Sequence, residues 1–344
     1  MRVALGVGAT LVALLASCKD EGGGGDVCSQ YYDATISYQK RCSKVVEPNA
    51  EAERSRFLTV CSNLVNAPGA TNIAGALQSC ASQISANDCS VGNDCDVEVV
   101  GTLPDGAACL DGSQCASGGC DDEDGRCGHC VALAAIGQPC GSKTRCVKDA
   151  SCVYSASTNG DDPVGTCRAV VRRKAGESCE SSTTESIRCE KGLACSPDAK
   201  CEAGGAAGAA CSSTSECQNN LVCDGGTCGV GQAVGGACTN SGGTAGSKTC
   251  AHGLVCPDDT KTCSEIAYVA VGQPCDYATR QCLGGYCRFD RVSSGAASGT
   301  CTAYLADGAA CDASSTGSID QPRCDRYADC IDGKCQIPNP AACK

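Results

Sequence analysis

Tryptophan is absent from this chain, and its 344 residues include only two phenylalanines, one methionine and two histidines. With so few large apolar side chains, one continuous core cannot be filled over that length. The shortage of histidine limits catalysis in the same way, because a Cys-His or Ser-His-Asp arrangement would have to use His129 or His252. No Gly-x-Ser-x-Gly elbow occurs. The stretch GTAGSKT, Gly243 to Thr249, has the wrong Gly-Lys spacing for a phosphate loop and no room for the flanking strand and helix. An enzyme is therefore not expected. Positive charge is scarce too: the net charge is −12, which argues against nucleic acid and anionic surfaces as partners. The one basic run, RAVVRRK from Arg168 to Lys174, reads as a solvated linker. Past the N-terminus, no stretch approaches the 18 apolar residues of a membrane span.

Cysteine stands where the missing core residues would be. There are 37 of them, a density that marks an exported disulfide scaffold. Zinc sites use closely spaced cysteine pairs, and only Cys127 and Cys130 have that spacing, so neither a metal nor another cofactor is expected.

The address lies at the front. Arg2 supplies a positive start, Val3 to Leu14 an apolar stretch, and Leu15-Ala16-Ser17-Cys18 follows. This segment resembles a bacterial lipobox, which implies cleavage after residue 17 and a diacylglyceryl group on Cys18. Taking Cys18 out leaves 36 cysteines, an even number that can pair completely. Residues 18–27, including the run KDEGGGGD, then form a lipid anchor and Gly-rich tether. Lys19 is not the aspartate that retains such lipoproteins at the inner membrane. The resemblance thus implies the outer membrane of a Gram-negative bacterium, facing the periplasm or the exterior.

Residues 28–95 carry helical periodicity. Cys28, Tyr31, Thr35, Tyr38 and Cys42 recur at three to four residues; Phe57, Val60, Cys61 and Leu64 form a second stripe after Pro48; Ile73, Leu77, Cys80 and Ile84 form a third after Thr71. A small three-helix bundle stapled by disulfides is expected. Helix rise puts Cys28 level with Cys61 in an antiparallel second helix, which leads to Cys28–Cys61, then Cys42–Cys80 and Cys89–Cys95.

From residue 104 to 344 the texture changes to seven tandem four-cysteine repeats. Each begins Gly-x-x-Cys, at Gly106, Gly137, Gly176, Gly208, Gly235, Gly272 and Gly308. The second and third cysteines are separated by 4 or 5 residues, whereas the first gap runs from 5 to 12 and the third from 4 to 14. The middle reads as rigid and the outer gaps as surface loops. Units this short fold only with crosslinks, each contributing about 3 kcal/mol. Interlocked loops constrain a short coreless module best, which favours first-to-third and second-to-fourth pairing: in the fourth unit, Cys211–Cys223 and Cys217–Cys228. Little regular secondary structure beyond short β-hairpins is expected.

The segments Gly192-Leu193-Ala194-Cys195 and Gly253-Leu254-Val255-Cys256, with Asn220-Leu221-Val222-Cys223 as a variant, carry a resemblance to the N-terminal cysteine-rich region of Dickkopf proteins. Joined to a lipobox, such repeats look like those of bacterial cysteine-rich lipoproteins. The resemblance covers about residues 104–335 and implies a disulfide module. It does not extend to signalling-receptor binding, because loop lengths differ and a vicinal cysteine pair is lacking.

The functional reading that follows is a structural or binding element, for adhesion or display, with a protein or glycan ligand on disulfide-braced loops. A protease inhibitor is the alternative, with Arg145, Arg188 or Arg280 as P1-like residues. A second alternative is a thiol-disulfide oxidoreductase at Cys127-Gly-His-Cys130, which resembles the disulfide isomerase motif. Its acidic, turn-like flank and the absence of a thioredoxin pattern disfavour a reactive thiolate there. Cys127 is instead expected to close the first repeat, which leaves Cys130 to pair with Cys343 by elimination. The acidic turn Asp121 to Asp124 offers carboxylates that calcium could use, but a solvated acidic turn is the favoured reading.

Overall fold

The structure, a computed structural model, describes residues 25–42, 50–87, 89, 95, 99, 101–121, 126–141, 144–154, 165–180, 185–190, 193–196, 198–218, 220–239, 246–276, 279–289, 298–312 and 322–344. Three helices come first: α1 (Gly25–Cys42), α2 (Ala50–Val65) and α3 (Ile73–Ala86). Among the described residues that follow, short strands in small sheets and 3-10 turns alternate with turns and coil. Among the described residues, no helix is long and apolar enough to cross a membrane.

Helix α1 starts before the expected boundary, so Gly25 to Val27 belong to its first turn and not to a tether. Asp26 explains this start: its carboxylate favours a helix N-terminus and accepts from Gln30 Nε2 at 3.1 Å. The buried residues of α1 are Cys28, Tyr32, Ala34, Tyr38 and Cys42, of which Ala34, Tyr38 and Cys42 cluster with Cys80, Ala81 and Ile84 of α3, while Cys28 bonds Cys61 of α2. Phe57 of α2 meets Tyr31 and Tyr32 at 6.0 and 5.2 Å between ring centroids.

The structure joins Cys28 to Cys61 but corrects the other two pairs of the head. Cys42 bonds to Cys89 and Cys80 to Cys95. The cause lies where α3 ends. Arg41 at the end of α1 donates to the carbonyls of Ile84 and Asn87 at 3.2 and 2.9 Å, so the exit of α3 is held over the exit of α1. Asn87 Oδ1 then accepts from the Cys89 amide at 2.8 Å and turns the chain back onto Cys42. Cys80 lies earlier on α3 in the same buried cluster and bonds Cys95 instead.

All seven modules share one frame. The fragment before each first cysteine is a turn with the repeat glycine at its third position, closed by an i to i+3 hydrogen bond such as Ala209 N to Ala206 O at 3.0 Å. Each repeat glycine has φ between 80° and 90°, and a Cβ there would meet nothing within 4 Å. Backbone conformation, not space, therefore selects glycine. Its amide donates to the carbonyl of the fourth cysteine, and that cysteine's amide donates to the residue after the glycine, as in Gly208 N to Cys228 O at 2.9 Å and Cys228 N to Ala209 O at 2.8 Å. The third and fourth cysteines lie on or beside an antiparallel pair: directly opposite in a ladder, as Cys223 and Cys228 in Val222–Asp224 with Thr227–Gly229, in an isolated bridge in the first module, and flanking the two-residue strands in the fifth. In every module the first cysteine bonds the third and the second bonds the fourth. Replacing Gly208 with Ala should cost about 1 kcal/mol, the left-handed penalty of a β-carbon. A urea midpoint unchanged from wild type would refute this account of the turn.

The modules are also welded to one another. The segment entering each unit pairs in parallel with its second cysteine, by single bridges such as Gly205 with Cys217 and Gln232 with Cys250, and by full strands in the third and sixth units. The basic run Arg168–Lys174 is thus not a solvated linker. Most of it continues the strand Gly165–Arg173, which pairs with Ala150–Tyr154 of the second module and Ser186–Cys189 of the third. Nor is the first-gap stretch of the fifth module wholly a surface loop. Ser247 accepts from Gly225 at 2.6 Å, and Thr249 donates its amide to Asp224 Oδ1 at 2.9 Å, which ties it to the fourth module.

Candidate functional site: the junction of the first and last modules

The chain returns to its own beginning. Cys127 of the first module bonds Cys343, which follows the seventh, across a separation of 216 residues. This corrects the expected assignment at Cys127-Gly-His-Cys130. Cys130 is the fourth cysteine of the first module: it bonds Cys115 and exchanges backbone hydrogen bonds with Gly106 and Ala107 at 2.7 and 2.8 Å. The frame needs its fourth cysteine where the strand returns beside the turn, and Cys130, opposite Cys120, occupies that place. Cys127 is left outside the frame.

Helix α2 sits between the two ends. On one side Arg56 reaches into the seventh module, donating to both carboxylate oxygens of Asp307 at 2.9 and 3.0 Å and to the Arg326 carbonyl at 2.7 Å. Asp325 adds a second ion pair to Arg56, and Glu53 pairs with the Arg326 guanidinium. The Asp307 hydrogen bond, opposed by burial, holds the Arg56 guanidinium above its ordinary pKa. Phe57 meets Tyr327 edge-on at 6.1 Å, and Asn63 donates to the Pro338 carbonyl at 3.2 Å. Asp307 is the turn residue just before the repeat glycine Gly308, so a module turn supplies the anchor.

The other side joins the first module through the loop after α2. Gln114 is 1% exposed and binds three backbone groups: its Oε1 accepts from Leu110 and Asp111 at 2.7 and 3.1 Å, and its Nε2 donates to Pro68 O at 3.0 Å. The Thr102 amide donates to Gly69 O at 2.8 Å. Gly101 packs so closely that a Cβ would lie 1.9 Å from the Gln114 carbonyl carbon.

The remaining expected site residues are placed as follows. Cys18 and Asp122 to Asp124 lie outside the described residues; Asp121 accepts from the His129 amide. His252 donates its Nε2 to the Leu221 carbonyl at 3.2 Å, linking the fifth module to the fourth. The three P1-like arginines have exposed side chains, yet their backbones are engaged. Arg145 accepts from Ala134 at 2.8 Å, Arg188 lies opposite Arg172 in the parallel ladder, and Arg280 lies opposite Ala267 in another. An inhibitory loop leaves its backbone free to pair with a protease. None of these three positions offers that.

Gln114 and Arg56 are the site residues that sequence reasoning missed. Arg56 acts on partners distant in the chain and sits in no motif; Gln114 had a signal, because Asp111-x-x-Gln114 has capping-box spacing, although its third partner, Pro68, lies 46 residues away. Cys127 could have been assigned from one interval. From each fourth cysteine to the next repeat glycine there are six or eight intervening residues throughout the chain; Cys130 gives six and Cys127 gives nine.

These features define the chain as an array of small disulfide-rich modules behind a helical head, closed on itself by a cystine. Comparison with family models, curated proteins and solved structures gave no match.

Proposed function

We propose that this protein is a lipid-anchored envelope or surface element, on the outer membrane of a Gram-negative bacterium, that holds a protein or glycan ligand on disulfide-braced loops. The observation that carries the reading is the sameness of the frame beside the inequality of the loops. Seven glycine turns and interlocked cystine pairs repeat closely, while the first and third gaps vary from 4 to 14 residues. A frame that preorganises loops lowers the ordering cost of binding, which suits adhesion or display. The lipobox-like segment before Cys18 supplies the anchor in this reading.

Two measurements test it. Mass spectrometry of the mature N-terminal peptide should find a diacylglyceryl adduct on Cys18; an unmodified N-terminus elsewhere removes the anchor. The oxidised chain should bind a glycan array or intact cells saturably, and shortening residues 313–321 and 240–245 to Gly-Gly should weaken binding at least tenfold with the disulfide map unchanged. Binding that survives removal of every long loop, or saturable binding to nothing, overturns the role.

A further inference from the structure

We propose that the Cys127–Cys343 cystine is a site of thiol–disulfide exchange, at which a dithiol donor opens the closed chain while the cystines within the modules stay intact. Placement in the fold carries the inference. Cys127 is exposed and Cys343 is half-buried, whereas all four frame cysteines of the same module, Cys109, Cys115, Cys120 and Cys130, are at most 5% exposed. An attacking thiolate needs in-line access to a sulfur, and only the outer bridge of this module provides it.

Reclosure separates this bridge from the others as well. Of the described half-cystines only Cys195 is exposed like Cys127, so Cys179–Cys195 is the natural comparator. Its two sulfurs are held together after reduction, because Cys195 lies opposite Cys201 in a ladder, Cys179 donates to Ala199 at 2.8 Å, and Cys189–Cys201 still bridges the module. Among the described residues, no hydrogen bond runs directly between residues 126–130 and 339–344. Those two segments meet through α2, with Gln114 and Thr102 on one side and Arg56 and Asn63 on the other. Once opened, this bridge has the weaker tendency to reform.

The chemistry balances with a dithiol. One donor thiolate attacks the exposed Cys127 Sγ, the S–S bond breaks, and Cys343 leaves as a thiolate that takes up a proton. The donor's second thiolate then attacks its own sulfur in the mixed disulfide and releases Cys127. Two electrons and two protons pass to the cystine, and the donor becomes a disulfide. The tail after the seventh module is then free of the first.

Graded reduction of the full mature chain with dithiothreitol, trapped by alkylation and mapped by mass spectrometry, tests the proposal. Cys127 and Cys343 should be half-labelled at a reductant concentration at least tenfold below that for any other cysteine, Cys179 and Cys195 included. Hydrogen exchange should then rise in residues 337–344 with the module ladders still protected, and the double variant Cys127→Ser, Cys343→Ser should show the same pattern without reductant. A module cystine that opens first or together with the clasp overturns the proposal. So does a tail whose exchange is unchanged after opening.

Discussion

With Cys217 and Cys228 both changed to Ser, the fourth module should lose protection in residues 206–229 while the helical head keeps its own. Beyond that bridge the module keeps one cystine, Cys211–Cys223, a three-residue ladder and a small core, enough to keep neighbouring sulfurs close but not to protect the amides. Its buried cluster is Cys217, Leu221, Cys223 and Cys228, with Ala209 and Cys211 partly covered, so two of its four buried members are the crosslink itself. Reopening a loop with a sequence separation of 11 should cost about 3 kcal/mol, and this core is too small to offset that. Both cysteines must be changed together, since a lone thiol would attack neighbouring cystines. The loss should spread forward to residues 246–250, because Asp224 and Gly225 hold Thr249 and Ser247 from the fourth module. Hydrogen-exchange mass spectrometry reads both effects. A fourth module that stays protected would mean that burial, not crosslinking, maintains the frame.

Changing Gln114 to Leu should destabilise the joint between the head and the first module by about 3 kcal/mol. The substitution keeps the volume and removes every polar partner. The amides of Leu110 and Asp111 and the carbonyl of Pro68 each lose a hydrogen bond at a side chain that is 1% exposed. An unsatisfied buried group costs about 1 to 3 kcal/mol, and the groups on the exposed residues Asp111 and Pro68 fall at the low end because water can replace the side chain there. The head-side loop should loosen with the module. A urea midpoint within error of wild type would show that Gly101 and Gly69 fix the joint by packing alone.

Short-range architecture was legible in the sequence, and the closures were not. Three stripes of apolar residues placed the helices, and the Gly-x-x-Cys starts placed the modules, because both depend on neighbours within one turn or one hairpin. Cys28–Cys61 followed from helix rise, a local ruler applied to two antiparallel helices. That ruler failed for Cys42, since it does not describe the reversal at Asn87 that brings Cys89 back. Counting four cysteines from each glycine failed at Cys127 for a related reason: the frame recognises its fourth cysteine by its distance to the next turn, not by its order. Arg56 and Asp307 lie 251 positions apart, and an arginine on one helix carries no mark of which carboxylate will meet it.

The long closure also changes what damage can do to the chain. A protease that cuts the backbone once, anywhere between Cys127 and Cys343, produces two pieces that remain one covalent molecule, since each retains one half of the bridge. Shedding any of modules two to seven therefore takes two cuts while the cystine stands, and a single cut once it is reduced.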